Sequence, residues 1–206
     1  GGVWGYRREL GATRAWVPWL LPSALLGGAA GAALLLVTPR SLFERLVPLL
    51  ILGATLLFMV QEPLLRRFAR SAAPEPAAAP GGGPSLRARL AFVAVLFPLA
   101  VYGGYFGAGL GILTLAAFGF LRVGSIHEMN ALKVLSGGAI NAVASAIFVE
   151  RGLVRWTEAL VMIAASTLGG YLGADAARRL GAPAVRRIVI AIGLAAAVWT
   201  AARELS

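Results

Sequence analysis

The chain contains a single lysine, Lys133, and no other charged residue lies between Glu128 and Glu150. On a helix turning about 100° per residue, Asn130, Lys133, Gly137 and Asn141 fall within one stripe about 80° wide. In a soluble protein that stripe would be unremarkable. In an apolar helix an ionisable side chain at such depth is a functional hypothesis by default, because it must face protein or water. Lys133 offers a compact cation for an oxyanion, Asn130 and Asn141 offer amide donors, and Gly137 leaves room between them. A plainer reading also fits: Lys133 lies about one turn from a loop and snorkels to the interface, while the asparagines hold helices together.

The second feature with chemical meaning is the run Gly103-Gly104-Tyr105-Phe106-Gly107-Ala108-Gly109-Leu110-Gly111. Five of its nine residues are glycine, the weakest helix former after proline. A glycine turn that opens a helix presents backbone N–H groups with no intrahelical partner at the positive end of the helix dipole. Gly107, Gly109 and Gly111 therefore mark a candidate anion site. The alternative is a packing ridge, since Gly103, Gly107 and Gly111 recur at intervals of four. Other chemistry is poorly provided for. With no cysteine and one histidine, His127, there is neither a thiolate nor a multi-histidine metal centre, and no paired carboxylates stand out. Asp175 reads as a partner of Arg178 or Arg179 one turn on. No enzymatic activity, cofactor or metal is expected.

The elements that position these residues are membrane helices. The 206 residues are 59% apolar and 14% charged, where soluble domains carry about 25% charged residues. The net charge of +10 comes from eighteen arginines and the one lysine. In an apolar chain that excess marks cytoplasmic loops facing anionic lipid and not a nucleic-acid footprint. Charge-free runs place helices at Trp16 to Val37, Phe43 to Val60, His127 to Val149, Thr157 to Arg178 and Pro183 to Arg203. The run Leu90 to Leu121 is too long for one crossing and must break at the glycines, giving legs at about Leu86 to Gly104 and Ala108 to Arg122. Trp16, Trp19, Trp156 and Trp199 lie near span ends, as an aromatic belt requires. Ser71 to Ser85, nearly all Ala, Pro and Gly, reads as a flexible linker. The expected organisation is residues 1–70 as the remainder of a first transmembrane repeat, 71–86 as linker and 87–206 as a second repeat.

That repeat is visible as self-similarity. Gly27-Gly28-Ala29-Ala30-Gly31-Ala32 aligns with Gly169-Gly170-Tyr171-Leu172-Gly173-Ala174 at an offset of 142 residues, and Arg45 then lies over Arg187. The pairs Gly27/Gly31 and Gly169/Gly173 suit close helix packing in lipid. If both legs of the broken segment cross, thirteen arginines share one side against five on the other, which the positive-inside rule favours. Five crossings then separate the matching hairpins, so the fold class is an all-α polytopic bundle with inverted-topology repeats. A counterpart of the glycine break in the first repeat would fall before Gly1, so the expectation is an N-terminally truncated copy of a protein longer by roughly fifty residues.

Taken together, Tyr102 to Ile112, Asn130-Ala131-Leu132-Lys133, Gly169-Gly170 with Gly173-Ala174, and Ala177-Arg178-Arg179 resemble the second half of the TauE/SafE sulfite exporter family. The resemblance covers most of residues 86 to 206, and Thr13 to Val60 match the tail of the family's first half. It departs from the family where Leu110 interrupts what is commonly an unbroken glycine run. The resemblance implies a multi-pass carrier of the inner (plasma) membrane. Such a carrier exports small anions such as sulfite or sulfoacetate with proton coupling and no cofactor, and its partners are the anion and the bilayer, with a homodimer compatible. A passive anion channel and a non-transporting membrane subunit are the rival readings.

Overall fold

The computed structural model describes residues 13–71 and 84–205. Among them every regular element is helical, in the order α1 (Val17–Val37), α2 (Arg40–Ser71), α3 (Leu86–Tyr105), α4 (Leu110–Phe120), α5 (Ile126–Glu150), α6 (Trp156–Leu180) and α7 (Ala182–Leu205). The segments Val17–Val37, Arg40–Val60, Leu86–Tyr105, Ile126–Glu150 and Ala184–Ala202 are each long and apolar enough to cross a membrane. The surface is inverted relative to a soluble protein, with Leu26, Met162 and Val198 all more than 60% exposed. The chain is a multi-pass membrane protein of the all-α class.

Helix boundaries follow local chemistry. α5 opens with a capping box: the Ser125 amide donates to Glu128 Oε2 at 2.6 Å, and the Glu128 amide donates to Ser125 Oγ at 3.4 Å. It closes at Gly152, whose φ of +67° suits a glycine past a helix end, as the Leu153 amide reaches back to the Phe148 carbonyl. α2 departs from the sequence expectation. It continues for 32 residues to Ser71 and does not stop near Val60. Gln61 to Ser71 contains no glycine, and apart from Pro63 it consists mostly of residues that favour a helix, two Leu and three Arg among them, so the chain leaves the apolar span without leaving the helix. Most of the expected linker, 72–83, lies outside the described residues.

The core is a three-helix contact of α1, α3 and α5, closed by α4. α1 and α3 run parallel: Trp16 packs on Phe92 with ring centroids 4.8 Å apart and planes tilted by 35°, and further along Gly27 meets Phe97 and Ala100. A Cβ on Gly31 would stand 2.0 Å from the Val101 carbonyl oxygen, and one on Gly104 would stand 2.1 Å from that of Gly28. These backbones touch without side chains between them, which is the close approach that drives helix association in lipid. On its other side Gly28 faces Ile140 and Val143 of α5.

α4 turns back along α3. Its Phe118 stacks on Phe92 at 5.3 Å, and Val123 is buried in the same cluster. Eleven helical residues rise only about 16 Å, so the turn through Arg122, at φ +51°, completes the return to the level where α3 begins. A shorter second leg than the expected Ala108 to Arg122 is the result. α2 pairs with α7, crossing where a Cβ on Gly193 would meet Thr55 Oγ1, and its other side packs against the α3–α4 reversal, where Phe43 lies edge-on to Tyr105 and Gly109 faces Ala54 and Leu57. α6 contrasts with its repeat counterpart α1. Gly169, Gly170 and Gly173 have nothing within 4 Å, so among the described residues they have no packing partner in the chain.

The difference between the two glycine motifs is testable. Gly31→Leu is expected to force α1 from α3 and cost about 1–3 kcal/mol or more, the range for overpacking. Gly173→Leu, at the equivalent register in α6, should stay within about 0.5 kcal/mol. Thermal unfolding of the purified variants in detergent measures both.

Candidate functional site

The junction of α3 and α4 is organised by Tyr102. Its carbonyl accepts the amides of Phe106 at 2.9 Å and Gly107 at 3.1 Å, which terminates α3, and its hydroxyl donates to the Ala108 carbonyl at 2.6 Å. One residue thus fixes both ends of the reversal. Gly107 (φ +76°) and Gly109 (φ +72°) take left-handed conformations, which glycine adopts without the steric cost a Cβ would incur. Gly109 is the residue preceding the first turn of α4, and its carbonyl accepts the amides of Ile112 at 2.9 Å and Leu113 at 3.2 Å.

Those bonds leave a defined set of donors. The Leu110 amide is satisfied by the Gly107 carbonyl at 3.2 Å. Among the described residues, the amides of Ala108, Gly109 and Gly111 donate to no carbonyl. They lie at the N-terminal, electropositive end of α4, where the first amides of a helix have no intrahelical acceptor. Gly111 is exposed, so its amide is not shielded by a side chain of its own.

Lys133 comes to this end from α5. A Cβ on Gly111 would lie 3.6 Å from Lys133 Cδ, so the lysine stem crosses the glycine at contact distance. Lys133 Nζ donates to Asn130 Oδ1 at 2.7 Å, and Asn130 Nδ2 donates to the Ile126 carbonyl at 2.9 Å. The asparagine therefore positions the ammonium through a hydrogen bond that is itself tied to the backbone. An ammonium carries three donors, of which this contact uses one. Behind Lys133, the buried Ser136 hydroxyl donates to the Lys133 carbonyl at 3.1 Å.

Of the residues singled out from the sequence, the structure joins Gly111, Asn130 and Lys133, with Gly109 one residue before the turn of α4. Gly107 sits on the α3 side of the reversal, where a Cβ would stand 3.0 Å from the Gly103 carbonyl. Asn141 is two turns beyond Lys133, about 12 Å along the helix, and its Nδ2 donates to the Gly137 carbonyl at 2.8 Å. The common stripe expected of α5 holds as a register, yet about three turns separate its ends, Asn130 and Asn141. Gly137 has open space in front of it, as its place in the stripe suggested. Tyr102 was not singled out in the sequence. A tyrosine six residues before Ala108 carries no signal until the chain between them is known to reverse.

No group of three or more His, Cys, Asp or Glu that could hold a metal occurs among the described residues. The side chains of Asp175, Arg178 and Arg179 lie outside the described ones. What the α4–α5 arrangement offers is two kinds of electropositive group, backbone amides and one ammonium, on a small and glycine-walled locus. It suits a compact oxyanion better than a large or apolar ligand.

Comparisons with known proteins agree with this chemistry. The family model described as Sulfite exporter TauE/SafE matches residues 1–200. A protein of Haemophilus influenzae described as "Probable membrane transporter protein" is 28% identical over 179 residues, covering 84% of this chain and 62% of the relative. The chain thus spans less than two thirds of that relative's length. No solved structure matches the chain.

Removing the Tyr102 hydroxyl isolates the reversal from the rest of the fold. Tyr102→Phe should lower stability by about 0.5–1.5 kcal/mol, the net value of one hydrogen bond. Gly109→Ala, forced to φ +72°, should cost about 1–2 kcal/mol. Both are read as shifts in unfolding temperature against wild type.

Proposed function

Because the chain belongs to the sulfite exporter TauE/SafE family, we propose that it exports small sulfur-containing anions, such as sulfite or an organosulfonate like sulfoacetate, across the inner membrane. The family is one of membrane transporters and not of enzymes. The observation that supports the substrate class is the approach of the Lys133 stem to Gly111, in the first turn of α4, where amides donate to no carbonyl among the described residues. Gly111, with Gly109 just before it, lets backbone approach the anion, Gly107 makes the reversal that places them, Lys133 supplies the opposite charge, and Asn130 holds that charge in place. Asn141 and Gly137 line the continuation of the same stripe toward the far end of α5.

Electrostatics accounts for why one lysine suffices. At an effective dielectric constant of about 20, unit charges 4 Å apart attract by about 4 kcal/mol. Amides at the helix start add a dipole contribution of about 0.3–1 kcal/mol. An attraction of that order corresponds at most to binding near the millimolar range, which permits release, as a carrier requires. No acidic residue stands in the first turn of α4 to compete for the cation. Proton coupling and an inverted relation between residues 1–70 and 87–206 complete this reading. The matched register of α1–α2 with α6–α7 supports the second of these.

Efflux of sulfite from proteoliposomes tests the reading. Lys133→Ala is expected to lower the rate at least tenfold, while Lys133→Arg, which keeps charge without the compact head, should retain part of it. Wild-type efflux in Lys133→Ala would remove the proposed role. Efflux unaffected by an imposed proton gradient would replace a coupled carrier with a passive channel.

A further inference from the structure

A second anion-compatible site lies at the other end of the bundle and does not depend on the transport reading. α1 and α3 enter side by side, and along their outer seam runs a groove of about 300 Å³ between Trp19, Pro22, Ser23 and Leu26 of α1 and Val93 and Phe97 of α3. The prolines cause it in part. Pro22 inside α1 has no N–H and no long side chain to fill the seam. The one hydroxyl on the wall, Ser23 Oγ, is turned back to donate to the Trp19 carbonyl at 2.7 Å. The groove therefore presents almost only carbon.

Its mouth is charged. Arg89 stands one turn inside α3, four residues before Val93 and eight before Phe97, hence at the head of the same face. Its guanidinium carbon lies 5.6 Å from the Trp19 ring centre, in cation–π range. Its Nε is buried, yet among the described residues it donates to no acceptor. Among the described residues no carboxylate pairs with this guanidinium, so an anion from outside the chain would be favourable beside it. Neither α1 nor α3 has an acidic residue in its first turn, and both helices point their electropositive ends to this side. Arg14 and Arg87 are exposed nearby in sequence, at the starts of the same two helices.

We propose that this seam binds one anionic phospholipid, its phosphate accepting from Arg89 and one acyl chain lying in the groove beneath. The two halves of the site match the two halves of such a lipid. A carbon-lined channel suits the chain, and an arginine with no carboxylate partner among the described residues, held over an interfacial tryptophan, suits the phosphate. The lipid would also brace the α1–α3 contact at its outer edge, next to the Trp16–Phe92 ring contact in the core.

Trp19 serves as the reporter. The protein is reconstituted in vesicles of phosphatidylcholine and phosphatidylglycerol in which one or the other carries brominated acyl chains. Quenching at Trp19 is taken as the difference between wild type and Trp19→Phe. The expected preference for phosphatidylglycerol is about fivefold, the equivalent of about 1 kcal/mol for one arginine at an anionic surface. Arg89→Gln should bring it to about one. Arg89→Lys and Arg87→Gln should leave most of it. Leu26→Phe, which fills the groove without altering charge, should lower quenching by both lipids, so the proposal remains testable if Arg89→Gln does not fold. Equal quenching by both lipids in the wild type would overturn the proposal. So would a loss in Arg87→Gln as large as in Arg89→Gln, which would mean general surface attraction.

Discussion

Hydrocarbon offers no hydrogen bonds, so every peptide group that leaves a helix within the bilayer must find its partner in the protein. That constraint governs the α3–α4 reversal and, through it, the rest of the molecule. Tyr102 meets most of it, with a carbonyl shared by two amides and a hydroxyl that reaches across to Ala108. What it does not meet are the amides at the start of α4. In the proposed reading this deficit serves an anion, because the Lys133 stem lies beside Gly111 in the first turn of α4. A fully satisfied reversal would be more stable and would have nothing to offer an anion.

The same economy of side chains explains the packing. α1 and α3 approach so closely that Gly27, Gly31 and Gly104 have no room for a methyl group. Such contact fixes the height of α3 relative to α1, and therefore the height of the reversal at its end. Phe92 then ties three elements together, stacked against Phe118 and met at a tilt by Trp16. The returning leg can be as short as eleven residues because its far end is secured in this aromatic cluster and not by its own length. α5 completes the arrangement, with Ile140 packed at Gly28 and Gly103 and its capping box setting the register that carries Lys133 to α4.

Much of this was legible in the chain itself. Charge-free runs gave the helices to within a few residues, and the glycine density between 103 and 111 located the break, because both are local properties of composition. Lys133 stood out because it is unique and lies in an apolar helix. The extension of α2 was not legible, since hydropathy marks where the apolar span ends and says nothing of where a helix does. Nor was the role of Tyr102, which depends on a reversal bringing residues six apart into contact. The motif in α6 illustrates the limit of pattern. Gly27/Gly31 and Gly169/Gly173 are the same spacing in the same register, yet only the first pair has a partner among the described residues, because packing is a property of two surfaces and sequence shows one.

The central claim is that the start of α4 and Lys133 together bind a small sulfur oxyanion. The chain has no native cysteine, so a single Gly111→Cys substitution, whose side chain would sit in ordinary contact with the lysine stem, gives a clean probe. Sulfoacetate should protect this thiol from a methanethiosulfonate reagent in a saturable manner, and the protection should vanish when Lys133→Ala is added. Protection that persists without Lys133, or labelling indifferent to sulfoacetate in its presence, would contradict the account.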